Sequence, residues 1–240
     1  MFRQLISTTI LCGALTISSN VHALSSFNGL SALNQLQFDL LSKDLGASLS
    51  YKALSPAEPL GVTGFDMGLE VSATQLKSAS VFNSATGTSF DTLPVPKLHI
   101  RKGLPFNIDV GISYLPGSIS LLGYELSYAL MEGGIVMPAV SVRVTSSKLH
   151  GSSDISMSTL GYELSISKGF AMLTPYVGVG SINVTTTPGA AYSGTLSESS
   201  ASLFKAFYGL NMAFGLMNVA IEGDSTGGIN SYGAKVGFRF

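Results

Sequence analysis

Between Leu122 and Leu130 every second residue is large and apolar: Leu122, Tyr124, Leu126, Tyr128 and Leu130. The residues between them, Gly123, Glu125, Ser127 and Ala129, are small or polar. Successive side chains of a β-strand point to opposite faces. A strand here therefore has one wholly apolar face and one small, polar face that holds a carboxylate. This alternation constrains the fold more than any other feature because it recurs along nearly the whole chain. Phe65, Met67, Leu69 and Val71 oppose Asp66, Gly68, Glu70 and Ser72, and Leu98 and Ile100 oppose Lys97, His99 and Arg101. Ile108, Val110, Ile112 and Tyr114 oppose Asn107, Asp109, Gly111 and Ser113. Val140, Val142 and Val144 alternate with Ser141, Arg143 and Thr145, and Tyr208, Leu210 and Met212 with Gly209, Asn211 and Ala213.

A soluble β-sandwich also alternates, but it keeps a hydrophilic face for water. Here the outer face is apolar throughout. Only 11% of residues are charged, against roughly 25% in ordinary soluble domains, and the mean hydropathy is +0.39. No apolar run after Ala23 approaches the roughly 18 residues that a transmembrane helix requires. Ten-residue segments, apolar outside and polar inside, are the pattern of a transmembrane β-barrel. The expected fold class is all-β, an antiparallel up-and-down barrel crossing a membrane.

The first residues fit export. Arg3, a short apolar stretch from Leu5 to Ile17 and the small-residue exit before Ala23 form a secretory signal peptide, with cleavage expected after Ala23. The lone cysteine, Cys12, lies inside that segment and follows Thr9-Ile10-Leu11, a poor setting for lipid attachment. The mature chain then has neither a disulfide nor a thiolate metal site. The net charge near −1 argues against a nucleic-acid partner.

The last segment, SYGAKVGFRF, places Tyr232, Ala234, Val236, Phe238 and Phe240 on one face and Lys235 and Arg239 on the other. It resembles the terminal strand of bacterial outer-membrane proteins, whose final aromatic residue the barrel-assembly machinery recognises. The polar-x-Gly-x-x-apolar-x-aromatic pattern fits Ser231 to Phe238. Tyr232, Phe238 and Phe240 are the candidate assembly signal. The blocks SPAEPLG (Ser55–Gly61), GFD (Gly64–Asp66), KGLPF (Lys102–Phe106) and SKGF…LTPY (Ser167–Tyr176) are similar to those of an uncharacterised proteobacterial barrel family of the porin/fatty-acid-transporter-like kind. That resemblance implies an outer-membrane barrel of a Gram-negative bacterium and no particular activity.

The motif LGYELS occurs at Leu122–Ser127 and again at Leu160–Ser165. The spacing reads as one hairpin period of about 19 residues per strand. About 217 mature residues then give eleven to twelve strands, and an even number is expected of single-chain bacterial barrels. Outer loops are expected near Lys77–Leu93, Pro116–Ser118, Ser146–Asp154, Thr187–Ser199 and Ser225–Ile229, and short turns near Gly103–Pro105, Glu132–Ile135, Lys168–Ala171 and Gly215–Met217. These give ten strands from Val62 onward. The segment before them is ambiguous. LSALNQLQFDLLSKDLG has a helical spacing of leucines with Gly46 as a C-cap, whereas ASLSYKAL alternates like a strand. The preferred count is twelve strands; the alternative is ten with a helical N-terminal plug. The chain divides into residues 1–23 (signal), 24–44 (helical or plug-like) and 45–240 (barrel).

Function has to come from the inner face and the loops, because a fold alone implies no activity. The expected lumen-lining residues are Asp66, Glu70, Lys97, His99, Arg101, Asp109, Glu125, Arg143, Glu163, Lys205, Glu222, Lys235 and Arg239, with Asp224 beside them. Opposed charges can orient a permeating solute or pair with one another to hold a narrow barrel together. The leading expectation is a channel for small solutes, gated by the N-terminal segment. The alternatives are a fatty-acid-transporter-like carrier of hydrophobic compounds, guided by the apolar patches Leu93–Pro96 and Leu115–Leu122, and a closed structural or adhesive surface barrel. His150, Ser152, Ser153 and Asp154 in KLHGSSD invite comparison with a lipid hydrolase, but the match is three common residue types, and the expectation is no enzyme. No cofactor or metal is expected. The implied partners are outer-membrane lipid, the assembly machinery, and a small solute or hydrophobic ligand.

Overall fold

The computed structural model describes residues 26–240; the expected signal peptide, with Cys12 and the cleavage site at Ala23, lies outside the described residues. Ten antiparallel strands form the wall: β1 (Phe65–Gln75), β2 (Thr92–Leu104), β3 (Ile108–Leu115), β4 (Ser120–Glu132), β5 (Ala139–His150), β6 (Ile155–Ser167), β7 (Leu173–Pro188), β8 (Ser199–Phe214), β9 (Met217–Thr226) and β10 (Ile229–Arg239). Each pairs with its sequence neighbours, and β1 pairs with β10, closing the barrel. Closure leaves no sheet edge with unpaired backbone groups. Phe240 and Phe65 exchange backbone hydrogen bonds of 3.0 and 2.6 Å at the seam, and their rings stack.

The alternation explains the wall. Leu69, Tyr124, Leu126, Val142, Leu164, Tyr208, Val236 and Phe238 all point outward and are exposed. The intervening residues face the lumen and are buried. Short turns at residues 105–107, 133–138, 168–172 and 215–216 occupy one end of the barrel, together with the start of β1 and the end of β10. The opposite end carries the longer connections, 76–91 and 189–198, with tight ones at 116–119, 151–154 and 227–228. The loop expected over Ser146–Asp154 is shorter than the spacing predicts. β5 runs to His150 because Ser146, Ser147 and Lys148 stay paired to both β4 and β6.

The wall has ten strands, the second of the two counts the sequence allows, and the residues before it fill its interior. A 3-10 turn (Asn28–Ala32) leads into helix α1 (Gln35–Leu49). A capping box starts α1: the Asn34 side chain accepts from the Gln37 N–H at 3.0 Å, and the Gln37 side chain accepts from the Asn34 N–H at 2.9 Å. The helix passes Gly46 and ends at Leu49, with Ser50 as its C-cap. Gly46 is therefore not a cap. A Cβ there would lie 2.4 Å from Val184 Cγ2 on β7, so glycine lets the helix approach the wall. ASLSYKAL is not a strand either: its first half completes α1 and its second half descends the lumen without a ladder. The closed wall has no free edge to offer it, and Pro56 and Pro59 further on lack the N–H a ladder needs. A second helix, α2 (Ala79–Thr86), lies in the β1–β2 connection and ends at Gly87 in the left-handed conformation.

The apolar core lies inside the barrel at the long-loop end. Phe27, Leu30, Phe38, Leu41 and Leu45 of the N-terminal segment pack with Phe82 of α2 and with inward wall residues such as Leu93, Leu121, Leu149, Ile182 and Leu203. The inner face is thus apolar near the long loops and polar below. Leu93 and Val95, and Leu115 and Leu121, belong to this core, so the patches read in sequence as a path for an apolar solute supply packing for the plug.

Candidate functional site in the barrel lumen

Below the apolar layer the inward side chains form an ionic belt. Arg101 on β2 lies 2.9 Å from Glu125 on β4 and 3.1 Å from Asp109 on β3. Arg143 on β5 stands between the two LGYELS acids, 3.4 Å from Glu125 and 2.9 Å from Glu163. Lys205 on β8 closes on Glu163 at 2.6 Å. The repeat therefore has a physical reason: two strands of the same sense each present a carboxylate to the arginine of the strand between them.

Two of the contacts skip a strand. Arg101 and Glu125 flank Gly111 of β3 in register, and Glu163 and Lys205 flank Gly180 of β7. With no side chain at either glycine, the partners meet across the gap. A Cβ at Gly111 would fall 3.0 Å from Arg101 Cγ and 3.3 Å from Glu125 Cβ.

On the other side of the lumen Lys97 pairs with Glu70 at 2.9 Å, matching their cross-strand register, and His99 Nδ1 lies 3.8 Å from the same carboxylate. Asp66 receives Lys235 at 3.0 Å and Arg239 at 3.4 Å. Glu222 accepts from the Tyr176 hydroxyl at 3.0 Å. All thirteen sequence-derived lumen residues thus point inward, twelve of them almost fully buried, with Arg239 partly open at the short-turn end. Tyr232, Phe238 and Phe240 lie on the outer face. Buried charges are tolerated only when paired, and the alternation of sign around the wall supplies the pairs.

The N-terminal segment threads through this belt. Tyr51 is 1% exposed and donates or accepts a 2.6 Å hydrogen bond with His99 Nε2. Its side chain lies in a groove left by Gly111 and Gly123, whose missing Cβ atoms would fall 2.7 Å from the hydroxyl and 2.8 Å from the ring. Lys52 pairs with Asp224 at 2.6 Å. Ser55 accepts from Arg143 at 3.3 Å, the Ala57 N–H donates to Ser167, and the Leu60 N–H donates to Asp109 at 3.1 Å. Every residue from Tyr51 to Ala57 is buried.

At the long-loop end the segment is latched by two carboxylates. Asp44 accepts from the Ser78 and Lys77 N–H groups at 2.7 and 3.1 Å. Burial pushes its carboxyl above the ordinary value, with the two N–H donors pulling the other way. Asp154 accepts from the Phe27 N–H at 2.9 Å, and Ser42 meets Thr186 at 2.7 Å. In KLHGSSD, Ser152 accepts from the Asp154 and Ile155 N–H groups, so it caps the turn, and Asp154 serves the plug. Tyr51, Lys52 and Asp44 are plug contacts that sequence reasoning missed, and Asp154, noted there only beside His150, holds the plug as well. Only Lys52 carried a signal, as a lone charge in an otherwise uncharged stretch with no strand partner.

No protein-family model and no curated protein matches the chain. Among solved structures, Ail, the attachment invasion locus protein of Yersinia pestis, in complex with the heparin analogue sucrose octasulfate, is 9% identical; the match covers 74% of this chain and 97% of that one, with a TM-score of 0.32. Neisserial surface protein A is 8% identical over 73% of this chain and 95% of its own, with a TM-score of 0.30. Likeness at this level bears on neither ligand nor activity.

Proposed function

We infer that the chain is a non-enzymatic barrel of a Gram-negative outer membrane, sealed by its own N-terminal segment, with its long-loop end as the working surface. The membrane reading is supported by the exposed apolar wall and by short turns at one end and the longer connections at the other, the arrangement of periplasmic and outer ends in such barrels. The sealed reading is carried by one observation: the buried run Tyr51–Ala57 occupies the lumen at the level of the ionic belt. An open pore keeps its lining charges in water; here they pair with one another and with the segment. The ten strand ladders also form an unbroken ring, which leaves no gap in the wall for sideways passage of an apolar compound.

A gated channel is the second reading. It is favoured by the attachment of the segment to the wall at one end only, with the rest held by noncovalent latches. Planar-bilayer recording separates the two. The sealed barrel gives no steady conductance steps. A variant carrying Ser42→Cys and Thr186→Cys, positions whose side chains already meet, ties α1 to β7 under oxidation. Steps that appear under reducing conditions and vanish on oxidation would overturn the sealed reading in favour of a gate. Silence in both states, with folding shown by heat-modifiable gel migration, supports it.

A further inference from the structure

Turns that face water are built from glycine, proline, asparagine, aspartate and serine. The short turns of this barrel include such residues, Pro105, Asn107, Gly133, Gly134, Pro138, Gly169 and Gly215, but set large apolar side chains among them. Their tips carry Phe106 (84% exposed), Ile135 (99%), Val136 (83%), Phe170 (60%), Met172 and Leu216 (63%). Phe106 sits at φ +63°, where asparagine or glycine is ordinarily placed. A bulky apolar ring is kept there against the backbone preference.

Charged side chains of this end are tied to neighbouring groups. Lys168 donates to the carbonyls of Gly134, Ile135 and Met137 at 2.6, 2.7 and 3.2 Å, within the turn that carries Ile135 and Val136. Lys102 donates to the carbonyls of Val62 and Gly64. Glu132 accepts from Asn107 at 2.9 Å. Backbone groups that water would satisfy in an exposed turn are satisfied internally, as a lipid environment requires.

The wall points the same way. On β6 the outward apolar run is Leu160 to Ile166, and above it the outward residues are Ser158 and Ser156. At about 3.3 Å per residue and a tilt near 40°, that run spans roughly 15 Å. A barrel's apolar band is about 25 Å tall. On β5 and β7 the outward face likewise turns polar at Ser146 and Ser181. The missing height cannot come from above. Below, it is supplied by the apolar turn tips, which extend the lipid-facing wall beyond the outward Lys168 and Glu132.

We propose that the short-turn rim is a lipid-docking surface, sunk into the phospholipid of the inner leaflet, so that the barrel sits low and β5–β7 project above the membrane on the opposite side. This rests on the outer-membrane reading. The chain contains no tryptophan, so single substitutions report locally. Val136→Trp, Phe170→Trp and the wall control Leu126→Trp are refolded into phosphatidylglycerol–phosphatidylcholine vesicles, with acyl-chain-brominated lipid and aqueous acrylamide as quenchers. Both rim indoles are expected to emit at short wavelength, lose most of their intensity to brominated lipid and resist acrylamide, at every protein-to-lipid ratio. If Leu126→Trp behaves so while both rim indoles are quenched by acrylamide, the rim faces water and the proposal fails. Lipid quenching that rises as the protein is diluted in lipid means that a second copy covers the rim, and it fails equally. If Leu126→Trp itself escapes brominated lipid, the membrane-barrel reading falls instead. Phe170→Trp keeps an aromatic ring in its place and guards against a Val136→Trp chain that does not fold.

Discussion

Replacing Arg143 with methionine separates a dry lumen from a wet one. The belt balances three cations, Arg101, Arg143 and Lys205, against three anions, Asp109, Glu125 and Glu163. Methionine roughly fills the space of the arginine stem but leaves one negative charge in excess inside the wall. Glu125 keeps Arg101 at 2.9 Å and Glu163 keeps Lys205 at 2.6 Å, so neither acid is orphaned. The cost then lies near the lower end of the range for breaking a buried pair, about 3 kcal/mol. In a water-filled lumen the same pairs are screened and contribute about 1 kcal/mol or less. The assay is reversible urea unfolding in phospholipid vesicles, followed by heat-modifiable gel migration. Adding Glu163→Gln restores the balance of two and two, and the double variant is expected to be more stable than the sum of the single changes allows. A loss below about 1 kcal/mol for Arg143→Met, with no coupling to Glu163→Gln, would refute the dry belt and with it the sealed reading.

Three further outcomes follow from the contacts of the plug. Gly46→Ala places a Cβ 2.4 Å from Val184 and is expected to cost roughly 1–3 kcal/mol through overpacking; limited proteolysis of residues 26–60 should speed up, and Val184→Ala in the same chain should slow it again. Gly111→Ala intrudes on Tyr51 and Arg101 together, so it is expected to weaken both the plug and the belt by a similar amount, and unchanged unfolding would show that Tyr51 does not occupy its groove. Asp44 binds its proton more tightly in the folded chain than in the unfolded one, its carboxyl being raised from 3.8. Its contribution to stability is therefore fully present below 3.8 and is lost as pH rises through the folded value; Asp44→Asn should flatten that slope in the pH dependence of the unfolding midpoint.

The wall was legible in the sequence because strand alternation is a local property. Leu160, Tyr162, Leu164 and Ile166 against Gly161, Glu163, Ser165 and Ser167 need no knowledge of distant residues to define an outer and an inner face. The short turns fell where the alternation breaks. The region before β1 was not legible to the same degree. LQFDL fits both a helical and a strand period and ASLSYKAL alternates like a strand, and what decides their fate is whether a sheet edge is available. A barrel already closed by β1 and β10 offers none, so the segment turns inward. The latches were hidden for a related reason: Asp44 and Asp154 bind backbone N–H groups of residues far along the chain, and backbone donors leave no trace in residue identity.

Sequence alone determined that this chain builds an up-and-down barrel with an apolar exterior and a charged interior, because two-residue periodicity assigns each side chain to a face before any contact is made. Only the tertiary structure decided what those interior charges do. Their partners lie on different strands and on the threaded segment, brought together by barrel closure and by the bare backbone at Gly111 and Gly180, and that pairing makes the interior a packed, ionic core.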